Sequence, residues 1–237
     1  MSSKTFVLVH GAYHGAWCWQ PVAARLRALG HEVHTPTQTG LGERSHLVGI
    51  GPSLGMFADD IAHVLRYEDL SDVVLVGHSF GGSSISGVAD RMPERLRHLV
   101  YLDAQVLLPG ESPASRAPVD VIERYRQRVT RVDGVEVVPP GDAASFGIRD
   151  AALQAWVQAR LTPHPYRTYF DALELVHPLA NGVPATYIAC TDPVHPNTAT
   201  SQQRAKDLGW NFQQIATCHD AMLTMPDELT RMLLEIA

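Results

Sequence analysis

The sequence predicts an α/β fold, built on a mostly parallel six-stranded sheet with helices on both faces. Short β-rich runs alternate along the chain with stretches of helical periodicity. The clearest of these runs, such as TFVLVH and DVVLV, are continuously apolar, which is typical of strands buried on both faces of a parallel sheet. Parallel strands joined by helices require right-handed crossovers, which place helices on both sides of the sheet.

Six runs are predicted to form the sheet and four longer stretches to cover it. Gly30 follows the first helical stretch, as a C-terminal cap glycine commonly does, and the third stretch stops before Pro93. The predicted strands are 5–10, 32–35, 72–76, 96–102, 184–189 and 211–216, and the predicted helices are 16–29, 54–67, 80–91 and 226–236.

The segment 105–182 interrupts the alternation of strands and helices. It contains the turn-rich runs PGESPASRAP, VVPPG and LTPHP, with helical pieces near 119–129 and 149–160. Because it is inserted between two strands of the sheet, we expect it to form a small helical lid over the carboxyl edge. The predicted domains are therefore a core of residues 1–104 and 183–237 and a lid of residues 105–182.

The composition restricts the partners and the location of the protein. A net charge of -6 over 237 residues argues against nucleic acid or an anionic membrane surface as a partner. Its three cysteines form no CxxC motif, which favours free thiols in a reducing compartment. No apolar run approaches the ~18 residues of a membrane span. We expect a cytoplasmic protein that acts on a small molecule, as a monomer or a homodimer.

The motif Gly77-His78-Ser79-Phe80-Gly81 indicates a nucleophilic serine. It lies between the apolar strand DVVLV and a helical stretch, where a sharp strand-to-helix turn would hold the serine hydroxyl above the sheet. The neighbours two residues away on each side must be small, and both are glycine here. The N-terminus of the following helix would favour a developing negative charge.

Two backbone amides are needed to bind the oxyanion of an acyl-transfer intermediate. One is expected from Phe80, directly after the serine. The other is expected from the His10-Gly11-Ala12 segment after the first strand, with Ala12 as the candidate donor.

The order of elements selects the base among twelve histidines, whereas two aspartates compete as the acid. His219 follows the last predicted strand and precedes the final helix, so it is the candidate base, with His195 as the alternative. Asp103 and Asp192 each end a strand, and both keep the order serine, aspartate, histidine. Neighbouring parallel strands could deliver either carboxylate to the imidazole.

Five segments, TFVLVHGAYHGAWCW, GHEVHTPT, DVVLVGHSFGG, LVYLDA and CHDAMLTMP, resemble the α/β hydrolases that include plant methylesterases, salicylate-binding esterases and hydroxynitrile lyases. The similarity is closest to their bacterial relatives and covers nearly the whole chain, least specifically in the lid. The resemblance implies the α/β-hydrolase fold and a cofactor-free serine esterase for a small, apolar or aromatic ester. No metal is expected, because His10, His14 and His195 form no recognisable set of spaced metal ligands. Ser79, His219, Ala12 and Phe80 occupy the family's catalytic and oxyanion positions.

The resemblance also bears on the acid and on the reaction. The plant branch has its acid at the position of Asp192, whereas the bacterial branch characteristically has an aspartate at Asp103, which is narrowly favoured. Lyases with a serine, a histidine and an aspartate carry threonine at the position of Gly11 and lysine at that of Asp220. The absence of a cation after His219 favours ester hydrolysis. A lyase-like reaction and a non-catalytic binder remain alternatives.

Aromatic residues are predicted at the pocket mouth and in the lid. Lid aromatics could hold an aromatic substrate or form the lid's own small core. The predicted substrate-binding residues are Gly11, Tyr13, His14 and Trp17, and the lid aromatics are Trp156, Tyr166, Tyr169 and Phe170.

Overall fold

The computed structural model describes residues 3–237, and six parallel strands form its main sheet. The strands in chain order are β1 (Thr5–Val9), β2 (Glu32–His34), β3 (Val73–His78), β4 (Leu96–Leu102), β5 (Thr130–Val132), β6 (Val135–Val138), β7 (His164–Pro165), β8 (Ala185–Cys190) and β9 (Asn211–Ile215). The main sheet has the order β2-β1-β3-β4-β8-β9 with every neighbouring pair parallel, so the predicted mostly parallel sheet is confirmed.

Helices cover both faces of this sheet, as the sequence predicts. The α-helices are α1 (Gln20–Ala28), α2 (Leu54–Tyr67), α3 (Gly81–Arg91), α4 (Pro113–Arg116), α5 (Val119–Arg128), α6 (Ala151–Gln158), α7 (Ala199–Asp207), α8 (Ala221–Thr224) and α9 (Pro226–Ile236). Short 3-10 segments occur at Ala16–Trp19, Gly42–Ile50, Pro93–Arg95, Ala143–Phe146 and Tyr166–Tyr169. Within the described residues, no helix combines the length and the apolar character that crossing a membrane requires.

The alternation of side chains along each strand builds two cores. Phe6 and Leu8 of β1 pack on one face with residues of α1 and α9, while Val7 and Val9 pack on the other face with residues of α2 and α3. All four side chains are fully buried. Because successive strand residues point to opposite faces, a continuously apolar strand needs a helical layer on each side.

The inserted segment differs from the predicted helical lid, because it also contains a three-stranded antiparallel sheet. Strands β5, β6 and β7 form this sheet beside the helices α4, α5 and α6. Asp133 and Gly134 join β5 to β6 with positive φ angles of 49° and 81°. An Asp-Gly pair with two positive φ angles is typical of a tight hairpin turn. The Asp-Gly pair in VDGVEVV was therefore a usable sequence signal for this hairpin.

Candidate active site

Ser79 occupies a strained turn between β3 and α3. Its φ angle is 52°, a left-handed value that side-chain-bearing residues rarely adopt. A Cβ atom on Gly77 would lie 2.8 Å from the carbonyl oxygen of Gly81, and one on Gly81 would lie 2.7 Å from that of His10. The turn therefore tolerates only glycine at these two positions, which explains the spacing of the motif.

Ser79, His219 and Asp103 form a continuous hydrogen-bonded chain. Nε2 of His219 lies 2.9 Å from Oγ of Ser79, and Nδ1 of His219 lies 2.7 Å from Oδ2 of Asp103. Asp103 is completely buried and follows β4, whereas His219 lies in the loop between β9 and α8. With a proton on Nδ1, the imidazole donates to the carboxylate and keeps Nε2 free to accept the serine proton.

The backbone holds the Asp103 carboxylate in place. The Asp103 amide donates to the carbonyl oxygen of Ile188 at 2.7 Å, and its Oδ1 accepts from the amide of Cys190 at 3.3 Å. Both partners belong to β8, the neighbouring strand. The carboxylate therefore has partners on both oxygens, as a buried anion requires.

Asp192, the other predicted acid, lies away from this chain of hydrogen bonds. Its side chain is 54% exposed and accepts two hydrogen bonds from Arg149, the shorter at 2.6 Å. The bonds from the arginine lower the pKa of this carboxyl group. The structure thus brings Asp103, and not Asp192, to the imidazole of His219.

His195, the alternative base, stacks on the ring of His219. The two ring centroids are 4.1 Å apart with an interplanar angle of 20°. Burial and the neighbouring His219 lower the pKa of His195 to about 3, so this ring is neutral. His195 covers one face of the His219 ring, a contact that nothing in the sequence indicated.

Ala12 and Phe80, the two residues whose amides were predicted to bind an oxyanion, both line the cavity that contains Ser79. Over residues 3–237 neither amide donates a hydrogen bond to a protein acceptor. His10 orders this loop, because its Nδ1 lies 2.8 Å from the Gly11 carbonyl oxygen and its Nε2 accepts from the amide of Gln38. Burial lowers the pKa of His10 to about 3, which makes it a neutral structural group.

The cavity above Ser79 has a volume of about 250 Å³ and takes its wall from the core and from the inserted segment. Two of the four predicted substrate-binding residues, Tyr13 and His14, lie in the wall. Gly11 instead packs against Ser79, where an added Cβ would lie 2.7 Å from Cβ of Ser79. Trp17 stacks behind His14 at a centroid distance of 5.1 Å. The inserted segment contributes Val121, Arg124, Tyr125, Arg128, Gly141, Ser145, Phe146 and Tyr169.

The predicted lid aromatics separate into two groups. Tyr169 lines the cavity, and its hydroxyl donates to that of Tyr13 at 3.0 Å. Trp156 packs against Trp17, outside the cavity lining. Tyr166 and Phe170 contact each other, with ring centroids 4.9 Å apart.

Among the described residues no group of three histidine, cysteine, aspartate or glutamate side chains could hold a metal ion.

A nucleophile elbow at the carboxyl edge of a parallel sheet, with a histidine and an aspartate in hydrogen-bonding order, is the arrangement of a serine hydrolase. The sequence profile of the alpha/beta hydrolase family matches residues 6–231. The chain belongs to the alpha/beta hydrolase family, and the resemblance identified from the sequence is confirmed.

Individual relatives support the same conclusion. A carbendazim hydrolyzing esterase of a Nocardioides species is 36% identical, over 96% of this chain and 97% of the relative. Methylesterase 7 of Arabidopsis thaliana is 28% identical, over 100% of this chain and 97% of the relative. An extracellular alpha/beta-hydrolase from a Paenibacillus species, described as sharing structural and functional homology with tobacco salicylic acid binding protein 2, superimposes with a TM-score of 0.84, 25% identity and 99% coverage of both chains.

Proposed function

We propose that this carboxylic ester hydrolase acts through an acyl-enzyme on Ser79, with His219 as general base and Asp103 as the acid that orients it. The hydrogen-bonded chain of 2.9 Å and 2.7 Å between these residues carries the proposal. It opens onto a cavity, so the hydroxyl of Ser79 is accessible to a bound ester.

The first half-reaction forms the acyl-enzyme. His219 takes the proton of Ser79 through Nε2 while Oγ bonds to the ester carbonyl carbon, and the carbonyl oxygen becomes an oxyanion. The free amides of Ala12 and Phe80 donate to this oxyanion. The intermediate then collapses, the bond to the alcohol oxygen breaks, and His219 returns its proton to the leaving alcohol.

The second half-reaction releases the acid. His219 takes a proton from water, whose oxygen attacks the acyl carbon and forms a second tetrahedral intermediate in the same oxyanion site. When the bond between Oγ and the acyl carbon breaks, the proton on His219 returns to Ser79. One ester and one water give one alcohol and one acid.

The cavity favours a small apolar or aromatic ester. Its volume of about 250 Å³ is below the ~300–1,000 Å³ of sites that hold drug-sized ligands. Tyr13, Phe80, Tyr125 and Phe146 supply aromatic wall surface. The methylesterases among the relatives further support an ester with a small alcohol part.

Labelling with a fluorophosphonate probe and turnover of a substrate panel test the proposal. The wild-type protein should be labelled and should hydrolyse p-nitrophenyl acetate, and Ser79→Ala should lose both properties while it keeps its circular dichroism spectrum. Retention of most turnover by Ser79→Ala would overturn the assignment of the nucleophile. Cleavage of mandelonitrile without ester hydrolysis would instead favour the lyase-like alternative.

A cytoplasmic location is also part of the proposal. Cys18, Cys190 and Cys218 are all free and buried, which supports a reducing compartment. Cell fractionation of the natural host tests the location. The homodimer stays a prediction from the sequence, and light scattering after size-exclusion chromatography would decide it.

A further inference from the structure

A second histidine–aspartate pair lies buried beside the proposed triad. Nε2 of His14 lies 3.2 Å from Oδ2 of Asp220, and Nδ1 of His14 lies 2.8 Å from the carbonyl oxygen of Ala12. The side chains of His14 and Asp220 are 1% and 0% exposed. The mechanism proposed above uses neither side chain.

The hydrogen bonds of His14 require both of its ring nitrogens to donate. A backbone carbonyl oxygen faces Nδ1 and a carboxylate faces Nε2, and both are acceptors. A neutral imidazole carries one N–H, whereas imidazolium carries two. Burial alone would lower the pKa of His14, but the charge and hydrogen bond of Asp220 raise it above its ordinary value. The pair is therefore a buried imidazolium–carboxylate ion pair.

The same interaction holds Asp220 as an anion. Burial alone would raise its pKa, but the charge of His14 and its hydrogen bond lower the pKa to about 2. The other carboxylate oxygen, Oδ1, has no hydrogen-bond partner and lies 3.8 Å from Nε2 of His78. That nitrogen donates instead to the carbonyl oxygen of His219 at 3.0 Å. The backbone of the base is thus fixed directly beside the buried anion.

The pair joins the two segments that must be aligned for acyl transfer. Ala12 carries one of the two free amides of the proposed oxyanion site, and Asp220 is the residue directly after His219. The aromatic rings of Trp17 and Phe146 enclose His14, each with its centroid 5.1 Å from that of the imidazole. An imidazolium packed in this way has little freedom to move relative to either segment.

We propose that His14 and Asp220 form a positioning pair, which holds the Ala12 amide in register with His219 and Ser79 during acyl transfer. The proposal rests on the proposed function, because it assigns the pair a task in that reaction. A small misplacement of reacting groups costs up to about 100-fold in rate, and loss of one oxyanion donor costs about 100- to 1,000-fold. A positioning residue should therefore change kcat more than KM.

The test compares His14→Gln, Asp220→Asn and the double variant with the wild type on p-nitrophenyl acetate. We expect each single variant to lose about 10- to 100-fold in kcat with KM changed less than about threefold. The double variant should lose no more than the worse single variant, because the two residues act as a unit. Kcat within twofold of the wild type in both single variants, or losses that multiply in the double variant, would overturn the pair.

Asp90→Asn is the matched control for lost stability. Asp90 is also a nearly buried aspartate, and it accepts from the His177 ring and from the amides of Val176 and His177, away from the cavity. This variant should lower the melting temperature and leave kcat unchanged. If Asp90→Asn loses kcat as strongly as Asp220→Asn at a similar melting temperature, the effect is general destabilisation and the proposal fails.

Histidine NMR gives a readout that does not depend on turnover. In protein with 15N-labelled histidine, the ring signals of His14 are identified as those that disappear in His14→Gln. In the wild type at pH 6.5 these signals should be those of a doubly protonated ring, and Asp220→Asn should abolish that state. A neutral His14 ring at pH 6.5 would overturn the ion pair. Failure of fluorophosphonate labelling at Ser79 would refute the proposed function and leave this NMR result unchanged, so the two failures are distinguishable.

Discussion

Oδ2 of Asp103 lies 2.7 Å from Nδ1 of His219. Asp103 directly follows β4, which is the neighbour in the sheet of β3, the strand that ends just before Ser79. The carboxylate thus reaches the imidazole from the strand end adjacent to the nucleophile, and not from the following strand β8. Substitution of Asp103 and of Asp192, the two aspartates predicted as alternative acids, should therefore have different effects on activity.

We expect Asp103→Asn to lower kcat on p-nitrophenyl acetate by about 10⁴-fold, because the amide would favour the wrong histidine tautomer. Asp192→Asn is the matched control, since it removes only an exposed pair with Arg149, and exposed pairs contribute about 1 kcal/mol or less. Its kcat should stay within about threefold of the wild type. Similar losses in the two variants would contradict the geometry.

Gly11→Ala should damage the nucleophile's position. Its new methyl group would lie 2.7 Å from Cβ of Ser79, and the nearby His78 carbonyl oxygen at 3.2 Å belongs to a strand that cannot move freely. We expect a loss of at least about 10-fold in kcat, since a shift of about 1 Å can cost up to 100-fold. The rate of labelling by fluorophosphonate measures the reactivity of Ser79 without a leaving alcohol, and it should fall together with kcat.

Gly55→Ala provides the comparison for that substitution. Gly55 lies in α2, and the nearest atom to an added Cβ is Oγ of Ser53 at 3.8 Å. Alanine in a helix is favoured over glycine by about 1 kcal/mol, so this variant should unfold at a slightly higher temperature with unchanged activity. Activity loss of equal size in both glycine variants would refute the steric explanation.

Buried neutral histidines should make the folded state sensitive to acid. Burial lowers the pKa of His10 and of His164 to about 3, and it lowers that of His78 well below its ordinary value. Between pH 6.5 and about 3, the unfolded chain binds protons at these positions that the folded protein does not. The free energy of unfolding should therefore fall with decreasing pH, by up to about 1.4 kcal/mol per pH unit for each histidine.

Urea unfolding at pH 7.5, 6.5 and 5.5 measures this slope. The His164→Gln variant removes one of these buried histidines, and it should reduce the slope between pH 6.5 and 5.5 by up to about 1.4 kcal/mol per pH unit. The ring of His164 is fully buried, and its Nδ1 has no partner, so no interaction compensates its protonation. An unchanged slope in His164→Gln would show that the acid sensitivity arises elsewhere.

The inserted segment should set the size of the acyl group. Tyr125 of α5 lines the cavity, so Tyr125→Ala should enlarge it and raise kcat/KM for p-nitrophenyl hexanoate relative to the acetate, by about 10-fold or more if two or more methylenes become buried. Arg126→Ala, on the same helix but outside the cavity lining, should leave the ratio unchanged. Equal ratios of kcat/KM for hexanoate over acetate in both variants would show that α5 does not select the acyl group.

The sheet and the nucleophile were predictable because short-range patterns specify them. The strand 96–102 and the helices 54–67 and 226–236 have the bounds that the sequence predicts. Gly77 marks the turn at Ser79 because a Cβ there would meet the carbonyl oxygen of Gly81, only four residues along the chain. The position of His219 follows from the order of elements in the fold.

Short-range patterns could not predict contacts between distant parts of the chain. The sequence left Asp103 and Asp192 open because both end strands. Two contacts between distant residues distinguish them, the hydrogen bond of Asp103 with His219 and the ion pair of Asp192 with Arg149. The ion pair of His14 with Asp220 joins residues 206 positions apart, and no periodicity reports it. The hairpin at Asp133 was missed although its turn carries a recognisable Asp-Gly signal.

Ser79, Asp103 and His219 all lie outside the inserted segment, residues 105–182, which supplies α5 and much of the cavity wall. The reacting groups and many of the residues that line the cavity therefore lie in separate parts of the sequence, although Tyr13 and Phe80 of the core also contribute to the wall. Exchange of residues 105–182 with the corresponding stretch of a related hydrolase would leave the reacting groups on their original strands and loops. We expect that one such recombination event can change which esters the protein prefers while it keeps the reacting groups.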